Sequence, residues 1–151
     1  MTGMASIDDV RRLVALDNGL AHLSALRADG TVHGTVVNAG VIDHPVTGEP
    51  VAAFVGRPGT RKLGHLRANP QATLCWRAGW AWATAEGPVE MIGPDDPYEG
   101  VSPKDVPQLL RTIYSAAGGG EHQDWADYDR VMAAERRVAV LLPPRRIYIN
   151  P

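Results

Sequence analysis

Gly56-Arg57-Pro58-Gly59-Thr60-Arg61-Lys62-Leu63-Gly64-His65-Leu66-Arg67-Ala68-Asn69-Pro70 is the stretch around which the rest of the chain is organised. It follows the apolar run Val51-Ala52-Ala53-Phe54-Val55, which reads as a buried strand. Pro58 and Gly59 break that strand. Thr60 is placed to cap a short helix, Leu63 and Leu66 give the helix an apolar side, and Asn69-Pro70 stops it. The charge of its first turn runs against expectation. Arg61 and Lys62 stand where the helix dipole is already positive and where Asp or Glu is favoured. Free backbone N–H groups leave the same end. A bound anion, phosphate above all, turns this unfavourable arrangement into a favourable one. The plainer alternative is a pair of solvated basic residues on a surface turn.

The neighbouring segments read as hairpins and short helices. Ser6 and Asp9 have the spacing of a capping box, and Val10, Leu13 and Val14 follow at helical intervals, so residues 7–16 are expected to be helical. Leu20 to Arg27 reads as a strand, Asp29-Gly30 as a type I′ hairpin turn, and Thr31 to Ile42 as the returning strand. Gly34 and Gly40 inside that strand signal a bulge or a ligand that approaches the backbone closely. Asp43-His44 falls in the next hairpin loop, read as a solvated turn. Beyond the central helix, strands are expected over 71–77 and, as one long strand, 80–92. Helices follow over 102–116 and after the cap Asp124, with Tyr128, Val131 and Met132 turned inward. Gly118-Gly119-Gly120 between them reads as a flexible break, and 137–142 and 145–149 as closing strands. About six strands with short antiparallel connections exclude a doubly wound nucleotide fold and favour a small mainly-β barrel with peripheral helices.

Composition narrows the function classes. The chain of 151 residues has a formal net charge of -2, so no bulk attraction to nucleic acid is implied. One domain spanning 1–151 is expected, with no apolar run long enough to span a membrane. The start, Met1-Thr2-Gly3-Met4, shows no secretory pattern, and Cys75 is a single cysteine in a strand expected to be buried; a cytoplasmic protein follows. The five histidines are scattered without a ligand spacing, so no metal site is expected. No nucleophile elbow and no phosphate-loop ending appear, and no acid or base stands out, so catalytic residues stay unassigned. Trp80 and Trp82 lie two apart on an expected strand, placed either to stack on a flat ring, to fill a subunit interface or to pack in the core. Arg57 and Arg67 widen the positive field around Lys62.

Thr60-Arg61-Lys62-Leu63, Asn69-Pro70, and the strand followed by Ala85-Glu86-Gly87 together resemble the pyridoxamine-phosphate-oxidase-like split β-barrel flavoproteins. The motif there is Ser/Thr-Arg-Lys, a Leu, Asn-Pro and a strand ending in Glu-Gly. The tail Gly120-Glu121-His122, Asp124-Trp125, Tyr128, Arg136-Arg137-Val138 and Ile147-Tyr148 is similar to the actinobacterial branch that uses the deazaflavin coenzyme F-420. The resemblance spans about residues 7–150. It implies a homodimer of split barrels with two cofactor sites at the interface. It implies that Thr60, Arg61 and Lys62 hold the cofactor phosphate and that Val37 and Asn38 lie beside the ring system. Trp82 falls where FMN-binding oxidases carry the Gln of an Arg-Gln-Val-Arg run; here the run is Ala81-Trp82-Ala83-Thr84, which removes polar FMN contacts. The implied activity is hydride transfer from reduced F-420 to a small organic acceptor such as a biliverdin-like tetrapyrrole, a quinone or an unsaturated ester. The alternatives are an FMN-dependent oxidase or reductase of the same fold, and a cofactor carrier without turnover.

Overall fold

The computed structural model of the protein describes residues 4–151. Met1-Thr2-Gly3, on which the expectation of no leader partly rests, lies outside the described residues. The elements run α1 Ile7–Leu16, β1 Leu20–Leu26, β2 Val32–Asp43, β3 Pro50–Gly56, α2 Arg61–Ala68, β4 Gln71–Ala78, β5 Ala81–Pro88, β6 Glu90–Ile92, α3 Val106–Tyr114, α4 Trp125–Ala134, β7 Val138–Leu142 and β8 Arg146–Ile149. A short 3-10 turn, Pro103–Asp105, precedes α3, and a π turn, Ser115–Gly119, ends it.

The eight strands form one sheet in the order β6-β7-β3-β2-β1-β4-β5-β8, with every described pair antiparallel. β5 and β6 sit near opposite ends of that order, yet only Val89 separates them in sequence. The sheet therefore rolls up until its ends meet at Val89, whose N–H donates to the Pro70 carbonyl at 2.8 Å. Rolling hides the edges that an open sheet would expose. This is the expected mainly-β barrel with peripheral helices.

Two apolar layers follow from the strand period of two. Ala52 and Phe54 of β3 and Val138, Val140 and Leu142 of β7 point into the barrel with Leu23, Leu74 and Trp76. Val51, Ala53, Ala139 and Leu141 point the other way, onto Leu109, Leu110 and Ile113 of α3. Strand β7 is thus buried on both faces, which is why Val-Ala-Val-Leu-Leu carries no polar residue. Helix α1 plugs the barrel with Val10, Leu13 and Val14, and its capping box is present: the Asp9 carboxylate accepts from the Ser6 N–H at 2.9 Å. Trp76 satisfies its buried indole N–H on the Ala39 carbonyl at 2.9 Å.

Several sequence expectations need correction. The Asp29-Gly30 turn is not type I′, since of the two only Gly30 has positive φ, at 85°. The Asp29 carboxylate accepts from the Thr31 N–H at 3.0 Å and its hydroxyl at 2.6 Å, which holds a tight loop with one left-handed residue. The strand expected over 80–92 breaks at Val89, raising the strand count to eight. Trp80 lies in the β4–β5 turn after Gly79, is 93% exposed and shares no strand face with Trp82. Cys75 is half-buried rather than buried. His44 is only 4% exposed and is no solvated turn residue. Its Nδ1 accepts from the Val46 and Thr47 N–H groups at 3.1 and 3.2 Å, so Nε2 carries the proton and donates to Glu90 at 2.7 Å.

Candidate functional site

A cleft of about 550 Å³ opens between the middle of β2, the start of α2 and the α3–π turn segment. Its apolar walls are Val36, Val37, Val55, Ile113, Ala117 and Met132. Arg57, Lys62 and Arg137 also line it, without any carboxylate. The structure therefore brings together four of the sequence-assigned residues: Val37, Asn38, Arg57 and Lys62. Thr60 and Arg61 adjoin Lys62 in the chain but do not line the cleft.

The start of α2 departs from a capped helix for a definable reason. Thr60 occupies the cap position, yet its hydroxyl donates to the Arg57 carbonyl at 2.8 Å and caps nothing. The first-turn N–H groups therefore lack a side-chain acceptor. Arg57, Arg61 and Lys62 have no ion pair among the described residues. Arg137 differs: its Nε donates to Glu135 at 2.8 Å, and this bond, with Arg137 and then Arg57 as neighbouring charges, holds the Glu135 carboxyl below its ordinary range. Arg67 also differs from expectation. It forms a two-toothed pair with Asp96, at 2.8 and 3.4 Å, and does not line the cleft.

Of the three glycines beyond α3, Gly118 and Gly119 are packed against the chain and form a wall, whereas Gly120 faces open space. A Cβ on Gly118 would lie 2.5 Å from the Asn18 carbonyl oxygen, and one on Gly40 would lie 2.3 Å from that of Ala116. The π turn therefore rests directly on the α1–β1 turn and on β2. At Gly40 the close neighbour is the chain's own π turn and not a ligand, whereas Gly34 faces open space. Asn38 stitches the same corner, its amide donating to the Asn18 carbonyl at 2.9 Å. Its Oδ1 stays without a partner among the described residues.

Behind this wall stands an aromatic cluster of Tyr114, His122, Trp125 and Tyr128, with ring centroids 5.1–5.7 Å apart. The Tyr128 hydroxyl donates to the Leu110 carbonyl at 3.1 Å, and burial pushes its pKa up to about 12, so the phenol stays protonated and ties α4 to α3. Arg111 lies 5.1 Å over Trp125 and pairs with Asp129, tying α3 to α4. Trp82 stands apart from the cleft of its own chain: it sits on β5, edge to face with Tyr148 at 6.1 Å.

The donor set fits a ligand with a flat apolar ring and an anionic group. The volume lies within the ~300–1,000 Å³ common for cofactor sites. Among the described residues no group of three or more His, Cys, Asp or Glu is placed to hold a metal. No helix of the described residues is long and apolar enough to cross a membrane.

No known family profile matches the chain. Similar solved structures share the fold at low identity. A protein of unknown function from Agrobacterium tumefaciens is 16% identical with a TM-score of 0.65; the match covers 96% of this chain but 56% of that one. An F420 reductase is 18% identical over 89% of this chain and 93% of its own, with a TM-score of 0.57. A pyridoxamine 5'-phosphate oxidase-related, FMN-binding protein from Nostoc punctiforme is 14% identical over 95% and 79%, with a TM-score of 0.58. With its rolled antiparallel sheet and peripheral helices, the chain has the split β-barrel fold of the pyridoxamine 5'-phosphate oxidase-like proteins.

Proposed function

We propose that this protein is an oxidoreductase that binds coenzyme F-420 in the β2–α2–α3 cleft and passes its hydride to a small organic acceptor. The observation that carries the reading is the cleft's composition: apolar walls, two cations without ion pairs, and no carboxylate, histidine or thiol in its lining. The reduced deazaflavin would supply the hydride, and such a reaction asks the protein for binding and orientation more than for an acid or base. Val37 and Asn38 would flank the ring. Lys62, Arg57 and the uncapped N–H groups of α2 would hold the phosphodiester, with Thr60 and Arg61 shaping that turn. The similarity to an F420 reductase supports the choice of coenzyme.

The site would be completed by a second copy of the chain. Val36 and Asn38 line the cleft and also belong to the outer sheet face, where Leu20, Leu26, Val32 and Tyr148 are exposed. A partner seated on that face would border the cleft, and Trp82 is the residue by which it would reach the ring.

FMN is the competing cofactor, favoured by the similarity to an FMN-binding protein. Titrating the pure protein with each cofactor and following the bound chromophore decides between them. F-420 is expected to bind at least about tenfold tighter, a difference near 1.4 kcal/mol. Reduced F-420 should then support acceptor reduction where NADPH alone does not. Equal or tighter binding of FMN, with FMN-dependent turnover, overturns the assignment. Tight F-420 binding without turnover on any acceptor makes the protein a carrier.

A further inference from the structure

His33, on β2, lies against His65 of α2, with ring centroids 5.0 Å apart. The remaining charged groups around His33 are Arg61 and Lys62 from α2 and Arg27 from the end of β1. All of these neighbours are basic or titrate to cations; none is a carboxylate. The His33 Nδ1 is buried without a hydrogen-bond partner among the described residues. Arg27 spends its donors on the hairpin, bonding the Thr31 hydroxyl and the Val32 carbonyl. Burial first, then His65 and the three cations, holds His33 below the ordinary imidazole range. Such a cluster is self-repelling as it stands, and a negative group placed among its members removes the conflict.

The cluster shares a residue with the cleft, although His33, His65 and Arg61 do not line it. Lys62 belongs to both. Val37 lines the cleft and His33 lies four residues back on the same face of β2, about 13 Å at the usual strand rise. A chain of carboxylates leaving a phosphodiester at Lys62 would reach it in one short run.

We propose that His33 and His65, with Arg61 and Lys62, form a second anion subsite that takes the oligoglutamate tail of the coenzyme, and that filling it is coupled to uptake of one proton by the imidazole pair. The proposal rests on the F-420 reading given above. The proton comes from solvent and resides on the pair while the tail carboxylates are bound. The sign of the coupling follows. The anion raises the imidazole pKa in the complex above that of the free protein. Affinity therefore climbs as pH falls through the complex's value and levels off below the free protein's value. A shift of about one unit yields about a tenfold gain.

The test is a binding titration between pH 8 and 5.5 with two probes, F-420 carrying several glutamates and the same deazaflavin phosphodiester carrying none. The tailed form should tighten roughly three- to tenfold toward acid and the tail-less form should not. Calorimetry of the tailed form in two buffers of different ionisation enthalpy should show a proton taken up. His33→Asn combined with His65→Asn should bring the tailed form to the flat profile of the tail-less one, and circular dichroism establishes that the variant is folded. Parallel pH profiles for the two probes, or an unchanged profile in the double variant, overturn the subsite while leaving the cofactor reading intact. Failure of both probes to bind at any pH overturns the cofactor reading itself.

Discussion

The Thr60 hydroxyl donates to the Arg57 carbonyl at 2.8 Å, and that bond keeps it from capping α2. A threonine at a cap position normally accepts from the helix's own N–H groups, and losing that bond costs about 1 kcal/mol. Here the hydroxyl instead ties the Arg57–Thr60 turn to itself. The helix start stays open, next to two basic side chains that lack ion pairs.

Lys62 is the cation of that start that lines the cleft. As a charge-assisted donor to the proposed phosphodiester it would contribute about 1.5–3 kcal/mol. Lys62→Ala is therefore expected to weaken cofactor binding roughly tenfold to a hundredfold. It breaks no ion pair in the described residues, so the denaturation midpoint should hold. Wild-type affinity in a fluorescence titration of the variant would remove the phosphate assignment.

Packing of the glycine wall makes a prediction of opposite sign at two glycines. A methyl group on Gly40 meets the Ala116 carbonyl oxygen at 2.3 Å, a backbone atom that cannot turn aside. Gly40→Ala should cost about 1–3 kcal/mol and displace the π turn that walls the cleft, weakening cofactor binding as well. Gly64→Ala, inside α2 with nothing within 4 Å, should stabilise by roughly 0.5–1 kcal/mol. Denaturant midpoints of the two variants moving in the same direction would contradict this account.

Local signals explain what could be read from the sequence. Helix α1 is marked by its capping box, β3 by an unbroken apolar run and α2 by Pro58-Gly59 before it and Asn69-Pro70 after it. Lys62 stands out because its charge opposes the helix dipole, and Val37 and Asn38 came through resemblance alone. What stayed hidden depends on partners far along the chain. Gly118 reads as a linker until Asn18 is known to lie against it, and Arg67 reads as free until Asp96 pairs with it. His44 looks like a turn residue because Glu90 and Tyr98 belong to other elements. Arg137, Tyr114 and Met132 carried no signal for the cleft, since only the packing of α3 and α4 on the sheet brings them there. His33 and His65 sit on different elements, so a search for close histidine spacing passes over them.

Acid should loosen the tie between α3 and α4. The Arg111 bond, reinforced by its charge, holds the Asp129 carboxyl below its ordinary 3.8. A carboxyl depressed in the folded state contributes stability above its unfolded value and loses it as pH falls through the folded value. The lost stability therefore appears below about pH 3.9 and releases Arg111 from its place over Trp125. A fluorescence transition of Trp125, isolated by subtracting a Trp125→Phe variant, should appear in that range. Asp129→Asn should remove its pH dependence. A transition that survives in Asp129→Asn would place the acid-sensitive contact elsewhere.

The outer sheet face predicts the assembly. Leu26 and Val32 are paired across β1 and β2, and Val32 and Val36 are 59% and 53% exposed. With Leu20 and Tyr148 they put exposed apolar side chains on one side of a sheet whose other side is packed, with His22, Cys75 and Thr84 between β2 and Tyr148. Exposed apolar side chains grouped on one face are a feature of subunit interfaces, and a stable one covers roughly 800 Å² per partner. Leu26→Lys with Val32→Lys would set like charges at the same spot on both copies, leaving the barrel interior untouched. If the proposed second copy completes the cleft, the double variant should sediment as a monomer and bind cofactor more weakly. Trp82→Ala should behave differently. It removes one side chain from β5 without charging the face, so the dimer should persist while cofactor affinity falls. Sedimentation of the unaltered protein as a monomer across micromolar concentrations, with full cofactor binding, would show that a single chain holds the site alone and would leave Trp82 with no part in it.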